Sequence, residues 1–399
     1  MYDNKFFEKI KFLDLGKQPI ANGFLTEKQL KSRGKEFFFD LSVQLDTDTG
    51  LVSLSNFVEL SKMFNENYPF HTSASPVMVK HFSSIAKRLN RMNPKKVMEI
   101  GSNDGAFLKN FSTKKAISVE PCKNFAEITS EMGYKTYPEF WTDDLANEII
   151  KQHGKQDLIY AANCMCHIPD IQSAFNSISR TLSSDGVFVF EDPSLLYMFL
   201  RNSYDQIYDE HAHIFSLVAL KNLLERAGMK IWKVEALENI HGGSCRIYAV
   251  NEKSNFVSYL STLLSFEVRM GMGMLAMAPY HAFAENVKKS RESLTNLLKA
   301  VKQQGKKIIS YGATSKSTTV FNYCGLGPET IDYITDTTPD KIGKFSPGTH
   351  IPIVKEEEGF DESVDFAFLG AWNYSDAILD KHPDFKGSWI THVPEVRII

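Results

Sequence analysis

The sequence predicts an α/β protein in three parts: a small N-terminal β-containing domain, a central Rossmann-like domain and a C-terminal second Rossmann-like α/β domain. Three observations carry that expectation. From about residue 75, apolar runs of strand length alternate with helix-length segments, the pattern of a parallel sheet covered on both faces. An apolar run at 97–100 breaks into a glycine-bearing turn before Phe107-Leu108, as a strand does when it feeds a helix beside a ligand. The alternation resumes after a long helical stretch at 256–304. With 399 residues, 43% of them hydrophobic, the chain can bury cores for two or three such units.

Residues 1–72 mix the runs Phe37-Phe38-Phe39-Asp40-Leu41-Ser42-Val43 and Leu51-Val52-Ser53-Leu54 with Gly and Asp-Thr punctuation, and read as the small β-containing domain. The central unit, 73–252, opens with a helix over 77–91 and continues with strands at 96–100, 116–119, 157–161 and 186–191. A helix at 220–227, ended by Gly228, and strands at 231–237 and 244–250 close it. The third unit, 253–399, begins with the stretch 256–304, whose only proline is Pro279 and which should form one or two long connecting helices. Strands at 307–311, 331–334 and 364–368 follow, with turns at Gly312 and 325–328. The chain has no internal repeat and no low-complexity tract.

The charge balance, 45 basic against 48 acidic side chains, gives no electrostatic reason to expect a nucleic acid or an anionic membrane as partner. Met1-Tyr2-Asp3-Asn4-Lys5 lacks the apolar run of a secretory signal, and no stretch has the roughly 18 apolar residues of a membrane span, so a cytoplasmic location is expected. The five cysteines, Cys122, Cys164, Cys166, Cys245 and Cys324, are odd in number and scattered, as reduced core thiols are. Cys164 and Cys166 would share a face of a strand, but with no second pair nearby no metal site is expected. Nothing in the sequence bears on oligomeric state.

The sharpest local signal is Val97-Met98-Glu99-Ile100-Gly101-Ser102-Asn103-Asp104-Gly105. Glycine at a strand end lets the backbone approach a ligand, and Ser102, Asn103 and Asp104 offer polar contacts for a ribose or a carboxylate. The next strand ends in Glu120, whose carboxylate can accept two ribose hydroxyls, so the pair describes an adenosine-containing cofactor. A dinucleotide site would need free backbone amides for a pyrophosphate, as in G-x-G-x-x-G. The turn G-S-N-D-G instead suits the uncharged ribose and amino-acid tail of S-adenosylmethionine, which makes 73–252 a methyltransferase domain in expectation. Phe140 and Trp141 either cover the adenine or belong to the core.

After the strand at 186–191 comes Tyr204-Asp205-Gln206-Ile207-Tyr208-Asp209-Glu210-His211-Ala212-His213, dense in His, Tyr and acids. A carbon acid needs a base with a pKa near the working pH and a donor for the enolate oxygen, and His with Tyr supplies both. The plainer reading is a polar helix cap with a solvated face. Asn163 and His167 follow the fourth strand, near the place for a methyl acceptor, and His241-Gly242-Gly243-Ser244-Cys245-Arg246 sets a glycine hinge beside an arginine that either forks onto a phosphate or pairs with an acid.

Taken together, Leu13-Asp14-Leu15-Gly16 with Pro19-Ile20-Ala21-Asn22, Glu99 to Gly105, Tyr208-Asp209-Glu210-His211, His241-Gly242-Gly243-Ser244, Gly312-Ala313-Thr314-Ser315-Lys316 and Pro347-Gly348-Thr349-His350-Ile351-Pro352 resemble the sugar C-methyltransferase family over nearly the whole chain. That family includes the C-3 methyltransferases of deoxysugar pathways. The resemblance implies three domains, S-adenosylmethionine as cofactor, a nucleotide-linked 4-keto sugar as substrate and a C-terminal unit that helps bind its nucleotide and diphosphate. It makes His211 the general base, with Tyr208 and Glu210 positioning the sugar or sharing the proton. Cofactor contacts are expected from Gly101, Ser102, Asn103, Asp104, Glu120, Phe140 and Asn163, and substrate contacts from His167, His241, Arg246, Lys316 and Asn322.

One departure stands out. Family members usually carry four N-terminal cysteines on a structural zinc, whereas here Asp46-Thr47-Asp48-Thr49-Gly50 stands where a C-x-x-C-G would be and the first pair is missing, so zinc is not expected. Two other functions fit parts of the sequence: methylation of an oxygen or nitrogen on a sugar or small molecule, and a non-catalytic relative that binds S-adenosylmethionine.

Overall fold

The computed structural model describes residues 8–32, 36–257, 265, 267 and 276–399. Its centre is a seven-stranded sheet in the order Met229–Leu237, Ser244–Asn251, Leu182–Pro193, Gln156–Ala162, Val97–Ile100, Ala116–Val119, Lys135–Tyr137. The five strands from Leu182–Pro193 to Lys135–Tyr137 pair in parallel, and the last two in sequence pair antiparallel at the other edge. Every residue of Val97–Ile100 and of Ala116–Val119 is buried, as parallel strands covered on both faces require. That double burial is why both were readable as apolar runs, interrupted only by Glu99 and Ser118.

The helix Pro76–Asn90 packs against this sheet through Met78, Phe82, Ile85, Ala86 and Leu89, spaced along one helical stripe. Ser75 caps it by accepting the Met78 N–H, and Pro76 occupies the first turn, where no N–H is needed. The helix Leu217–Arg226 begins three residues before its expected start, capped by Ser216. The strand Leu182–Pro193 likewise starts before the expected 186, in the polar Ser183-Ser184-Asp185 that hides it. Lys135–Tyr137 is a three-residue edge strand with one buried position, too short and polar to give a period. Cys164 and Cys166 do not lie on a strand. The chain has already left the sheet and makes a tight turn at Met165–His167.

A four-stranded sheet, ordered Lys9–Pro19, Phe38–Asp46, Val52–Leu54, His213–Ile214, forms the N-terminal unit. Its last strand comes from the central part of the chain, pairing Ile214 with Val52 and His213 with Ser53. The loop ending in His211 is thereby pinned between two sheets.

The C-terminal sheet runs Ile353–Lys355, Tyr333–Asp336, Ile308–Tyr311, Phe366–Leu369, Ser388–Thr391, Arg397–Ile398, parallel except for the last pair. The expected helical stretch contains the helix Ala278–Gln303, with Pro279 in its first turn. The part of that expectation falling on 258–264, 266 and 268–275 lies outside the described residues. One apolar cluster runs from Leu13 and Val43 of the N-terminal sheet through Tyr204, Tyr280 and Val287 to Phe321 and Phe368 of the C-terminal unit. Among the described residues, no helix is long and apolar enough to cross a membrane.

Candidate active site

A cavity opens at the carboxyl ends of the central strands, where α/β sheets bind ligands. Gly101, Ser102, Asn103, Glu120, Phe140 and Asn163 line it, as does Trp141. Gly101 has φ +70°, and a Cβ there would stand 2.8 Å from Cys164 Sγ, so only glycine lets the chain turn this closely. Ser102 Oγ meets Ser118 Oγ at 2.6 Å beneath the turn. Glu120 accepts the backbone N–H of Asn103 at 2.6 Å and that of Cys122 at 2.9 Å, one on each oxygen. Burial pushes its carboxyl up, against those two bonds. Glu99, one strand across, has an oxygen that is buried without a hydrogen-bond partner, and burial followed by the Glu120 charge raises its carboxyl well above the usual range. Phe140 is half-buried in the wall, while Trp141 is buried and donates its N–H to the Ala174 carbonyl.

Two of the expected cofactor residues commit their side chains to the preceding segment. Asn103 spends its side chain on the preceding segment, accepting the Thr72 N–H at 3.0 Å and donating to the Phe70 carbonyl at 2.9 Å. Asp104 does not line the cavity; its Oδ2 accepts the Ser73 N–H and hydroxyl at 2.9 and 2.6 Å.

The loop at 204–211 supplies Gln206, Tyr208, Glu210 and His211 to the cavity wall. Nδ1 of His211 lies 2.6 Å from the Gln206 carbonyl, which can only accept, so Nδ1 carries the proton and the lone pair is on Nε2. Tyr208 donates its hydroxyl to that lone pair at 2.8 Å. Burial, with help from His167 and Lys316, holds the His211 imidazole well below its ordinary pKa and therefore neutral. His167 stacks 5.5 Å from the His211 ring and 5.2 Å from Phe64; its Nε2 is buried without a partner, and burial lowers its pKa to about 3. Glu210 accepts from Asn22 Nδ2 at 2.6 Å and from Tyr68 at 2.9 Å. Its carboxyl is nonetheless raised by burial.

The C-terminal unit closes the far wall with Thr314, Ser315, Lys316 and Lys341. Thr314 caps the helix Ser315–Cys324 by accepting the Ser317 N–H, which leaves the start of that helix at the cavity. Among the described residues lining the cavity, Lys316 and Lys341 are the only Lys or Arg. Burial lowers the Lys316 pKa, opposed by Asp205 and Glu210. His241 also lines the cavity; it is the residue before Gly242 and Gly243, where a Cβ would run into Trp372 or Tyr197 at 2.6 or 2.4 Å.

Two expected substrate contacts are not in the cavity. Arg246 is buried and bound to Glu191 at 2.6 Å and Glu235 at 2.7 Å, so its guanidinium is committed to carboxylates and has no fork to offer a phosphate. Asn322 donates to the Thr318 and Pro347 carbonyls and fastens the turn at Gly348. Conversely, Phe64, Tyr68, Gln206 and Lys341 line the cavity without having been expected there. Asn22 does too, and it stood inside the motif Pro19-Ile20-Ala21-Asn22, which was its one visible signal. His213 stays out: it bridges Ser53 Oγ and the Ile168 and Pro169 carbonyls.

Sheet order, glycine turn and acid-tipped second strand together define a class, the S-adenosylmethionine-dependent methyltransferases with a Rossmann-like core. Comparison with known proteins narrows it. Residues 7–64 match the family model described as a putative zinc binding domain, 79–234 a methyltransferase domain, and 239–394 the C-methyltransferase C-terminal domain. The chain is 30% identical over 396 residues to the C-methyltransferase NovU of Streptomyces niveus, covering 97% of this chain and 93% of that one. It belongs to the C-methyltransferase family, and S-adenosylmethionine is its cofactor. Similar solved structures include an S-adenosylmethionine-dependent methyltransferase from Clostridium acetobutylicum, at 14% identity, 43% and 92% coverage of the two chains and a TM-score of 0.34. Another is the magnesium protoporphyrin IX methyltransferase of Synechocystis with bound SAM, at 10% identity, 43% and 79% coverage and a TM-score of 0.33.

The zinc named in the N-terminal family model does not fit this chain. Residues 7–64 contain neither cysteine nor histidine. The turn standing where two thiolates would be is held by Asp46, which accepts the Asp48 and Thr49 N–H groups at 2.8 and 3.2 Å. Arg226 and Asn222 then tie it to the central unit through Asp48 at 2.8 Å and the Thr49 carbonyl at 2.9 Å.

Proposed function

We propose that this C-methyltransferase acts on a nucleotide-linked 4-keto sugar, at the carbon beside the ketone. The observation that supports the reading best is the neutral His211 with its lone pair on Nε2 and a tyrosine hydroxyl 2.8 Å away. An oxygen or nitrogen acceptor has no need of a base and an enolate donor placed together. A carbon acid needs both.

Gly101, Ser102, Glu120, Phe140 and Asn163 would hold the cofactor, and the unpartnered Glu99 oxygen leaves an acceptor free in the same wall. When bound, S-adenosylmethionine supplies an electrophilic methyl group. The chain's own residues prepare the nucleophile. His211 Nε2 takes the proton from the carbon beside the ketone, which requires Tyr208 to leave Nε2 and frees its hydroxyl for the enolate oxygen. Burial raises the Tyr208 pKa well above its ordinary value, so it remains a donor throughout. Lys316, Lys341 and the N-terminus of the helix Ser315–Cys324 offer the positive charge that a diphosphate requires.

Deuterium exchange tests the reading. Incubated in D2O with S-adenosylhomocysteine, a nucleotide-linked 4-keto sugar should exchange its hydrogen beside the ketone at a rate that depends on His211. Methyl transfer to a sugar without any such exchange would replace carbon by oxygen or nitrogen as the acceptor.

A further inference from the structure

Between the N-terminal sheet and the helix Pro76–Asn90 the chain crosses the mouth of the cofactor cleft as a strap. Leu60, Phe64, Tyr68, Phe70 and Thr72 from this stretch all face the cavity. The strap's hydrogen bonds to the central unit come mainly from the cofactor turn, while Phe64 stacks on His167 and His71 lies 3.7 Å from Asp340 of the C-terminal unit. Asn103 grips it through Phe70 and Thr72, Asp104 through Ser73, and Asn124 through the Tyr68 carbonyl at 3.4 Å. Asn103 holds a left-handed φ of +48° while its own N–H sits on Glu120, so one residue joins the ribose-type acid to the strap. At the strap's other end, Tyr68 donates to Glu210 in the reacting loop.

We propose that Asn103 and Asp104 are positioning residues: they hold the segment 68–74 closed over the cofactor cleft and thereby keep the Tyr68 hydroxyl on Glu210. Cofactor site and reacting loop are then coupled through the strap, although Asp104 lies outside the cavity and the Asn103 side chain is spent on Phe70 and Thr72. The inference rests on the reading of Glu210 as part of the acceptor site only for its kinetic consequence; the closing of the strap stands independently.

The test compares Asn103→Ala, Asp104→Ala, Asp104→Asn and Tyr68→Phe in the full-length chain. Calorimetry with S-adenosylhomocysteine should show affinity about tenfold weaker in the two alanine variants, as the loss of two hydrogen bonds implies. Asp104→Asn, which keeps an acceptor oxygen, should recover most of it. Protease cleavage within 64–75 should quicken in the alanine variants and be slowed by the ligand in the parent.

The second readout is the pH profile of kcat/KM. Glu210 is faced by Tyr68, Tyr208, Asp209, Cys122 and Cys166, and by Lys316 and Lys341 from the C-terminal wall. The Tyr68 bond is among the contacts that lower its pKa, so opening the strap should move the Glu210 limb to higher pH, as Tyr68→Phe does, with no further shift when Asn103→Ala is added. Should either alanine variant fail to fold, Ser73→Ala removes the hydroxyl half of the Asp104 latch from the strap side, leaving the backbone N–H bond, and must weaken ligand binding in the same direction by a smaller factor. Unchanged ligand affinity and unchanged proteolysis in all latch variants would overturn the proposal. If ligand affinity and proteolysis change as expected while no ketosugar exchanges deuterium, the strap survives and the acceptor reading fails.

Discussion

The Tyr208 hydroxyl lies 2.8 Å from Nε2 of His211, while the Gln206 carbonyl fixes the ring's proton on Nδ1 from the opposite side. In the proposed reaction that is the tautomer a base needs, and the group covering its lone pair is the one the enolate oxygen would use next. Replacing His211 by Asn should lower kcat by about 10²- to 10⁴-fold, the usual contribution of a positioned base, and abolish deuterium exchange. Affinity for S-adenosylhomocysteine should stay within about a factor of two, because a base acts in the transition state. Steady-state kinetics beside calorimetry check both; a collapse of cofactor affinity would place His211 elsewhere in the mechanism.

The two lysines of the C-terminal wall and Arg246 lead to opposite expectations. Lys316→Met and Lys341→Met should each raise KM for a nucleotide sugar about 10- to 100-fold, the worth of a hydrogen bond to a charged group, with KM for the cofactor little changed. Arg246→Met should leave KM alone and lower stability by about 2 kcal/mol, because buried Glu191 and half-buried Glu235 each lose one charged partner while keeping His81 and Tyr160, and Arg88 and Lys233, respectively. Denaturant titration separates the two kinds of loss.

Acid should loosen the joint between the N-terminal sheet and the central unit. Burial lowers the His213 pKa to about 4, against the pull of the Pro169 and Ile168 carbonyls. An unfolded histidine titrates near 6.5, so the neutral ring favours the fold fully above that pH, and the stabilisation is lost as pH falls from 6.5 to 4. The shift corresponds to about 3 kcal/mol as an order of magnitude. His213→Gln should be less stable than the parent at pH 7.5 yet lose less on acidification, as followed by urea unfolding at stepped pH. His167 and His241, each lowered to about 3 by burial, keep the slope from vanishing.

A zinc chelator should leave the melting temperature and the protease pattern of residues 8–64 unchanged, since that stretch has no thiolate or imidazole donor. Arg226→Ala, which cuts the tie to Asp48, should increase cleavage there instead.

Much of the framework was legible because the physics that sets it is local. Parallel strands such as Val97–Ile100 and Ala116–Val119 are buried at every position and apolar at all but Glu99 and Ser118, since both faces are covered, and the glycine of a close turn is required by its own φ. The strand Lys9–Pro19 escaped because only five of its eleven residues are buried and its exposed positions carry lysines and Asp14. The site's chemistry was partly legible for the same reason: Tyr208 and His211 are three residues apart and meet within one loop.

By itself, then, the sequence determined the fold class, the cofactor turn and the identity of the polar loop, each written in neighbours along the chain. Tertiary structure alone decided what each polar side chain touches. Asn22 reaches Glu210 across 188 positions, Arg246 finds Glu191 across 55, and Asn103 turns to a segment 31 residues behind it. The residue type sets how many hydrogen bonds a side chain must make when buried, but the partner is whichever group the packing of distant elements brings within 3 Å. A guanidinium beside a glycine hinge looks the same in sequence whether it will meet a phosphate or a buried carboxylate, and here the folded sheet put Glu191 on the neighbouring strand.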